Sequence, residues 1–533
     1  MKEYDYIIVG AGSAGCVLAS RLSEDPSVNV LLVEAGSSTS IFVNMPAGIR
    51  VLYHSSKYNW RYWTAPQAAL HDRKIYIPRG RVVGGSSSIN SMIAIRGNAY
   101  DYDSWAANGL PQWGYSSLLP YFKKLEDASL VAQKGDPNRG FSGPIRLSYG
   151  PRREAMQAFV ESAATIGIPE NHGFNGASQI GAGFYELSIA DGKRSGAFKY
   201  LDRAGPRKNL TIYTHCQVNR VILEGKRARA IAITRHGREE SVRASREILL
   251  TAGSIGSPQL LMLSGIGPAS HLESVGIPVA LDAPEVGGNL QDHLDCTIRF
   301  EASEPTTLTP YLGWIRGAMA GAQYLCTGKG VAASHGIEAG AFWGPNKSDP
   351  VPEWQAHFIL ALRSPPPGSH VPHGFAIRVC QLRPKSRGTV RLSSAHPGSA
   401  PLIDPQLAQE PSDFESLSHG IAELCDIVGR RPFADHIKQP LDKDAFGDKK
   451  TRDNWLRDFS ETVYHPVGTC RMGSDSASVV DPEMKVRGIE GLRVIDGSVL
   501  PTLTGGNTNL PIMAMAERMA DVIRGRADAP DRQ

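Results

Sequence analysis

Tyr6-Ile7-Ile8-Val9-Gly10-Ala11-Gly12-Ser13-Ala14-Gly15 decides the fold, because an apolar strand runs straight into three glycines spaced G-x-G-x-x-G. Cys16-Val17-Leu18-Ala19 with Leu22 continues from it as a helix. Gly10 allows the tight turn, Gly12 lets backbone amides approach a pyrophosphate, and Gly15 lets the helix pack closely on the strand. A second strand, residues 29–33, delivers Glu34, 19 residues after Gly15. A carboxylate there can accept hydrogen bonds from both hydroxyls of an adenosine ribose. Strand, helix, second strand and acid together predict a dinucleotide site. They do not choose between a nicotinamide and a flavin.

Working outward, the chain has 533 residues, 41% hydrophobic and 21% charged, which fits an ordinary globular protein with roughly three domains' worth of length. A net charge of +4 without a long basic run argues against a nucleic-acid partner. Met1-Lys2-Glu3 leads directly into the first strand, so no signal peptide is expected there. No apolar stretch reaches the length of a membrane span. The cysteines at 16, 216, 296, 326, 380, 425 and 470 are scattered and form no CxxC. They suggest reduced, mostly buried thiols in a cytoplasmic protein, with a peripheral contact at the inner membrane left open.

Strand character returns at Glu247-Ile248-Leu249-Leu250-Thr251-Ala252-Gly253 and again at Gly491-Leu492-Arg493-Val494-Ile495-Asp496-Gly497. Strand ends spread this widely predict one nucleotide domain assembled from separated segments. Across 298–463 the character changes, with aromatics at Trp314, Tyr324, Phe342, Trp343 and Trp354, a Pro-rich loop from Ser364 to Ser369, and strand-like alternation around Val390 and Leu392. This stretch is expected to form a second domain that shapes a pocket against the first.

Gly80-Arg81-Val82-Val83-Gly84-Gly85-Ser86-Ser87-Ser88-Ile89-Asn90 packs small residues densely enough for backbone to lie against a flat ring or a phosphate. Its hydroxyls and Asn90 offer donors and acceptors to a polar ring edge. Gly253-Ser254-Ile255-Gly256-Ser257-Pro258 then precedes Gln259-Leu260-Leu261-Met262-Leu263, predicted as a short helix with Pro258 in its first turn.

With these segments the chain resembles the glucose–methanol–choline oxidoreductases. Gly80 to Asp103 and Gly253 to Gly267 match that family's two signatures. The likeness continues through Pro284 to His293, Arg383 to Gly388 and Tyr464-His465-Pro466-Val467-Gly468-Thr469-Cys470-Arg471-Met472-Gly473. Within the family it is most similar to the bacterial flavin-dependent alcohol, choline and sorbose dehydrogenases. The resemblance implies an α/β fold with a Rossmann-like FAD-binding domain (1–150, 196–297 and 464–533) and a sheet-and-helix substrate domain (151–195 and 298–463). It implies oxidation of a CH–OH group by hydride transfer to flavin N5, with electrons passed to a quinone, a dye-like acceptor or oxygen. A peroxide-producing oxidase is the alternative within that chemistry. A lyase or photodecarboxylase on the same fold is the alternative outside it.

For individual residues the resemblance implies His465 as the base and Asn507 as its partner, with Asn509 as the fallback. An imidazole suits the base because its reference pKa of about 6.5 lets it take a hydroxyl proton near neutral pH. Gly12, Ser13 and Ala14 would hold the pyrophosphate and Glu34 the adenosine ribose, with Gly10 and Gly15 part of the same cofactor-binding turn. Gly85 and Asn90 would line the isoalloxazine, and Asp496 and Gly497 the ribityl-phosphate side. Ala35, Val83, Val218, Ala252, Asn507 and Thr508 would be further cofactor contacts. Asp295 and Tyr464 are candidates for substrate contact, Asp295 because choline-oxidising relatives place an acid there against the quaternary ammonium. Some relatives attach FAD through a histidine one residue before the asparagine of the first signature. Here that residue is Ile89, so non-covalent FAD is expected. The helix from Asn509-Leu510-Pro511 onward would direct its N-terminus at the cofactor. His370-Val371-Pro372-His373 has metal-like spacing but no partner ligands, and no metal is expected.

Overall fold

A computed structural model gives the fold of residues 2–362 and 371–526. The loop expected at Ser364 to Ser369, and His370, lie outside the described residues.

The first sheet is built around the parallel strands Leu210–Tyr213, Val30–Val33, Glu3–Val9 and Arg238–Leu250, in that spatial order. Leu492–Val494 pairs in parallel with the end of Arg238–Leu250, bringing the C-terminal segment beside the N-terminal fingerprint. Arg227–Arg235 and Cys216–Glu224 extend the sheet antiparallel. Ile7, Ile8, Val30, Leu31, Leu32, Leu249 and Leu250 are fully buried, as continuous apolar runs must be when helices cover both faces of a parallel sheet.

The helix Ser13–Leu22 packs back on this sheet through Gly15. A Cβ on Gly15 would lie 2.0 Å from the Gly10 carbonyl oxygen and 2.8 Å from Thr251 Oγ1. Gly10 itself has φ +104°, a conformation that favours glycine.

The second sheet is antiparallel: Ile437–Pro440, Leu294–Ala302, Gly374–Gln381, Trp354–Ile359, Ala339–Trp343 and Gly181–Phe184, with Glu461–Thr462 beside the start of Leu294–Ala302. Its strands alternate. Ile298, Ala356, Phe358, Ile377 and Val379 join one apolar core with the helices Glu154–Ala164 and Pro411–Val428. Gln355, His357, Arg378 and Cys380 occupy the other face, since successive strand side chains point to opposite sides.

The aromatics Phe342, Trp343 and Trp354 fill cores, and Trp314 is 81% exposed. One expectation changes here. The helix expected to have Pro258 in its first turn begins at Gly253, spanning Gly253–Leu263 with Pro258 inside it. Proline tolerates this position because the carbonyl it cannot pair, that of Ser254, accepts from Thr469 Oγ1 at 2.6 Å.

Candidate active site

A cavity of about 450 Å³ is lined both by the N-terminal fingerprint and by residues four hundred positions later. Gly10, Gly12, Ser13, Ala14, Glu34 and Ala35 border it, as do Gly85 and Asn90, Val218 and Ala252, and Asp496, Gly497, Asn507 and Thr508. Tyr464 and His465 complete it. Gly15, Val83 and Asp295 stand outside the lining. Gly15 is taken up by helix–strand packing, Val83 is buried in the first core, and Asp295 is buried in the second sheet.

The walls suit an anionic dinucleotide. Three helices begin at this cavity, Ser13–Leu22, Gly253–Leu263 and Asn509–Ile523. None has an acid in its first turn or a side-chain hydrogen bond at its N-cap. The positive end of each helix dipole favours a negative group, and at Gly253–Leu263 the first amide already holds one, the Asp496 carboxylate. Ser13 Oγ donates to Asn509 Oδ1 at 2.7 Å and so ties two of these N-termini together. A Cβ on Gly253 would meet no protein atom within 4 Å, so glycine there leaves space on the cavity side.

Glu34 is buried, and its two carboxylate oxygens each accept one amide, from Ala11 at 3.0 Å and Gly36 at 2.8 Å. Burial raises its pKa while those two amides oppose the rise. Each oxygen keeps a lone pair for a ribose hydroxyl. Asp496 is fully engaged with protein: it accepts from the Gly253 amide at 2.8 Å, Ser257 Oγ at 2.5 Å and the Ser498 amide at 2.8 Å. Its side chain thereby fixes the backbone of two cavity walls.

At the far end, His465 Nε2 lies 3.2 Å from Asn507 Nδ2, and His465 Nδ1 lies 3.0 Å from His293 Nδ1. His293 Nε2 is 3.1 Å from the Leu382 carbonyl. A carbonyl only accepts, so His293 carries its proton on Nε2. Burial, chiefly, holds the His293 ring neutral by pulling its pKa down to about 3. Its Nδ1 is therefore an acceptor and takes the Nδ1 proton of His465. The lone pair of His465 is left on Nε2, beside Asn507. Gln355 Nε2, 3.3 Å from Asn507 Oδ1, sets the amide so that its NH2 faces His465. Asp292 Oδ1 accepts from the amides of His293 at 2.9 Å and His465 at 2.7 Å, anchoring both rings from their backbones. Burial first, then the nearby His293, His357, Arg79 and Arg378, hold the pKa of His465 well below the ordinary imidazole value.

GMC oxidoreductase family models match residues 4–295 and 384–516. The chain belongs to the GMC oxidoreductase family. It is 40% identical to the oxygen-dependent choline dehydrogenase of Paraburkholderia xenovorans (strain LB400), covering 98% of this chain and 95% of that protein. It is 40% identical to the alcohol dehydrogenase [acceptor] of Pseudomonas putida, over 98% of this chain and 96% of that one. Among solved structures it matches pyridoxine 4-oxidase from Mesorbium loti with TM-score 0.89 and 32% identity, covering 98% and 99% of the two chains. It also matches an FAD-dependent oxidoreductase from Chaetomium thermophilum with TM-score 0.86 and 27% identity, over 98% and 99%.

Membership makes this GMC oxidoreductase an FAD enzyme acting on CH–OH donors, and the helix N-termini at Ser13 and Asn509, Glu34 and the glycine-lined wall fit that cofactor. Sequence reasoning missed the part of the site supplied by the second sheet. Ile337, His357, Ile359 and Arg378 line the cavity opposite the fingerprint, with Tyr53, Arg79 and Met92 nearby in the lining. A signal was present in Trp354-Gln355-Ala356-His357-Phe358-Ile359, where polar side chains alternate with apolar ones. In a strand whose apolar face is a core, such polar residues lie on the face toward a site or solvent.

Proposed function

We propose that this enzyme oxidises an alcohol to an aldehyde or ketone, with His465 Nε2 as the base. The carrying observation is the His293–His465–Asn507 chain, which leaves His465 Nε2 unprotonated beside Asn507 in the cavity lining, where a substrate hydroxyl would take the place of the Asn507 contact. FAD, when bound, accepts the hydride that leaves the alcohol carbon. The protein's part is to take the hydroxyl proton at His465 Nε2 and to fix the hydroxyl oxygen with Asn507 Nδ2, so that the carbon is correctly presented. Glu34 would hold the adenosine ribose, and the amides of Ser13 and Ala14 the pyrophosphate. Ile89 lines the cavity where attached-flavin relatives have histidine, which supports non-covalent FAD. Residues 1–150, 196–297 and 464–533 would carry the cofactor, and 151–195 with 298–463 the substrate wall. The test is anaerobic bleaching of the flavin absorbance by alcohols. A broad panel that bleaches nothing defeats the reading.

For the electron acceptor, a lipid-soluble quinone reached at a membrane surface is supported by one patch. Trp314, Ile315, Met319 and Leu325 are exposed on the helix Trp314–Thr327, and Ile41, Phe42 and Val51 are exposed on neighbouring short helices. Arg50 Nη1 donates to the Tyr311 carbonyl at 3.1 Å and joins the two parts. Residues 35–71 and 305–337 contain no Asp or Glu, while Arg50, Lys57, Arg61, Arg316 and Lys329 fall within them. An apolar face built from two segments that carry bases and no acids suits an anionic lipid surface. Ile49 and Tyr53, flanking Val51, line the cavity, so the patch adjoins the site. Among the described residues no helix is long and apolar enough to cross a membrane. Rapid peroxide formation under air without quinone or dye would favour oxygen as acceptor instead.

A further inference from the structure

We propose that the substrate is an uncharged alcohol bearing a second oxygen, recognised by Arg378 and His357, and that quaternary ammonium alcohols are poor substrates. The proposal rests on the alcohol-oxidation reading of the same cavity.

Arg378 and His357 are direct partners across adjacent antiparallel strands. Side chains so paired stand roughly 5 Å apart at Cβ on the same face. That face also carries Gln355, two residues from His357, which contacts Asn507. The two residues therefore present their polar atoms to the cavity beside the base.

Each has one donor left over. Arg378 Nε lies 2.5 Å from Asp295 Oδ2, Nη2 lies 2.5 Å from the same oxygen, and Nη2 lies 3.3 Å from the Thr462 carbonyl. Among the described residues nothing accepts from Nη1, and Arg378 lines the cavity. His357 is 6% exposed, and its Nδ1 is buried without a partner. Burial keeps this ring neutral. A buried N–H without an acceptor is rarer in proteins than a bare lone pair, so the proton belongs on Nε2, toward the cavity.

Charge then selects among ligands. Asp295 is fully buried, does not line the cavity, and is covered by Arg378. An incoming ammonium meets a guanidinium and an N–H donor, not a carboxylate. Burial pulls the pKa of Arg378 down, but Asp295, Tyr464 and Glu461 outweigh it, so the guanidinium stays charged. That charge is already balanced by Asp295, with Glu461 3.6 Å from Nη2, so a carboxylate on the substrate would be a surplus anion. A neutral oxygen satisfies both donors and adds no charge.

The FAD-loaded enzyme is mixed anaerobically with 3-hydroxypropanamide, 3-hydroxypropanoate, choline and 3,3-dimethylbutan-1-ol, the last being choline's shape without charge or acceptor. The amide is expected to lead the others in flavin reduction rate over Kd by about tenfold or more, the value of one or two such hydrogen bonds. Arg378→Lys, which keeps a cation beside Asp295 but removes the fork, should shrink that lead about tenfold. His357→Phe should shrink it in the same direction and serves if Arg378→Lys fails to fold. Choline leading the panel, or an unaltered ranking in both variants, overturns the proposal. If no alcohol reduces the flavin, alcohol oxidation itself fails. Perturbation of the flavin spectrum by acetamide and tetramethylammonium then decides separately: tighter acetamide supports the proposal, and equal or tighter tetramethylammonium overturns it.

Discussion

His293 and His465 face each other nitrogen to nitrogen, 3.0 Å apart at Nδ1, although 172 residues separate them in the chain. Such a contact is attractive only if one ring donates and the other accepts, and the Leu382 carbonyl on the far side of His293 decides which. His293 is thus a positioning residue that selects the tautomer of His465. His293→Asn should lower the rate of flavin reduction by alcohol by about 10- to 1,000-fold, up to but not exceeding the roughly 100- to 10,000-fold that a well-placed base contributes. FAD content should be kept. A rate within twofold of the parent would show that the tautomer is set elsewhere.

The depressed pKa of His465 fixes the sign of the pH dependence. The base works unprotonated, so lowering the pH harms it only well below the ordinary imidazole value of about 6.5. Flavin reduction should stay nearly level from pH 8 to 6, measured by anaerobic stopped flow. A rate halved at pH 6.5 in both the parent and Asp292→Asn, which removes a carboxyl that burial raises to about 7, would mean that the ring titrates normally.

Folding stability follows the same groups. His293, His357 and His465 have lowered folded pKa values, so below about pH 6.5 the unfolded chain takes protons that the folded one refuses. Each then costs up to about 1.4 kcal/mol per pH unit. Asp292 opposes this, because burial raises its folded pKa to about 7 and the folded protein takes that proton first. Its contribution is present below the unfolded carboxylate range and is lost as pH rises through 7. Asp292→Asn keeps an oxygen for the two amides but removes the offset. Its Tm should therefore fall more steeply than the parent's between pH 7 and 5.

Some of this was legible in the chain because local rules govern it. Gly10, Gly15 and Glu34 sit within a single strand–turn–helix unit, and their roles depend on residues a few positions away. His465 and Asn507 were reached through family motifs, since an isolated histidine carries no local signature of a base. Their mutual 3.2 Å contact depends on loops packed from distant segments. Arg378 and His357 stayed hidden for a different reason: only strand register tells which face a polar residue occupies. Asp295 looked available for a substrate for the same reason, and its diagonal partner Arg378 appears only once Asp295 is paired with Cys380 in register.

Arg96, Arg139, Glu126 and Glu186 form a buried ionic cluster between the first 150 residues and the segment that follows. Glu126 Oε1 lies 2.7 Å from Arg96 Nη2 and 2.8 Å from Arg139 Nε, and Glu186 Oε2 is 2.6 Å from Arg139 Nη2. All four are at most 4% exposed. Glu126→Ala leaves the buried Arg96 guanidinium without a carboxylate, while Arg139 keeps Glu186, and should cost about 3–5 kcal/mol, as breaking a buried pair does. Denaturant unfolding checks this. A loss under 1 kcal/mol would mean that water reaches the cluster.

Release of the cofactor tests Ile89. With no nucleophile at that position, acid precipitation of the holoenzyme should leave all yellow flavin in the supernatant. Flavin that stays with the pellet would reveal a covalent link through another side chain.

The exposed apolar helix makes the last prediction. Trp314 and Met319 are 81% and 67% exposed. Burying such side chains in a bilayer interface is worth about 1.5–3 kcal/mol each. The protein should sediment with phosphatidylglycerol vesicles, less so in high salt, because Arg50 and Arg316 are screened. Trp314→Ser with Met319→Ser should lower partitioning about a hundredfold or more. Flavin reduction assayed with a water-soluble dye should change little, since neither residue lines the cavity. Parent protein that stays in the supernatant with vesicles, and dimerises through this face instead, would assign the patch to a second copy of the chain.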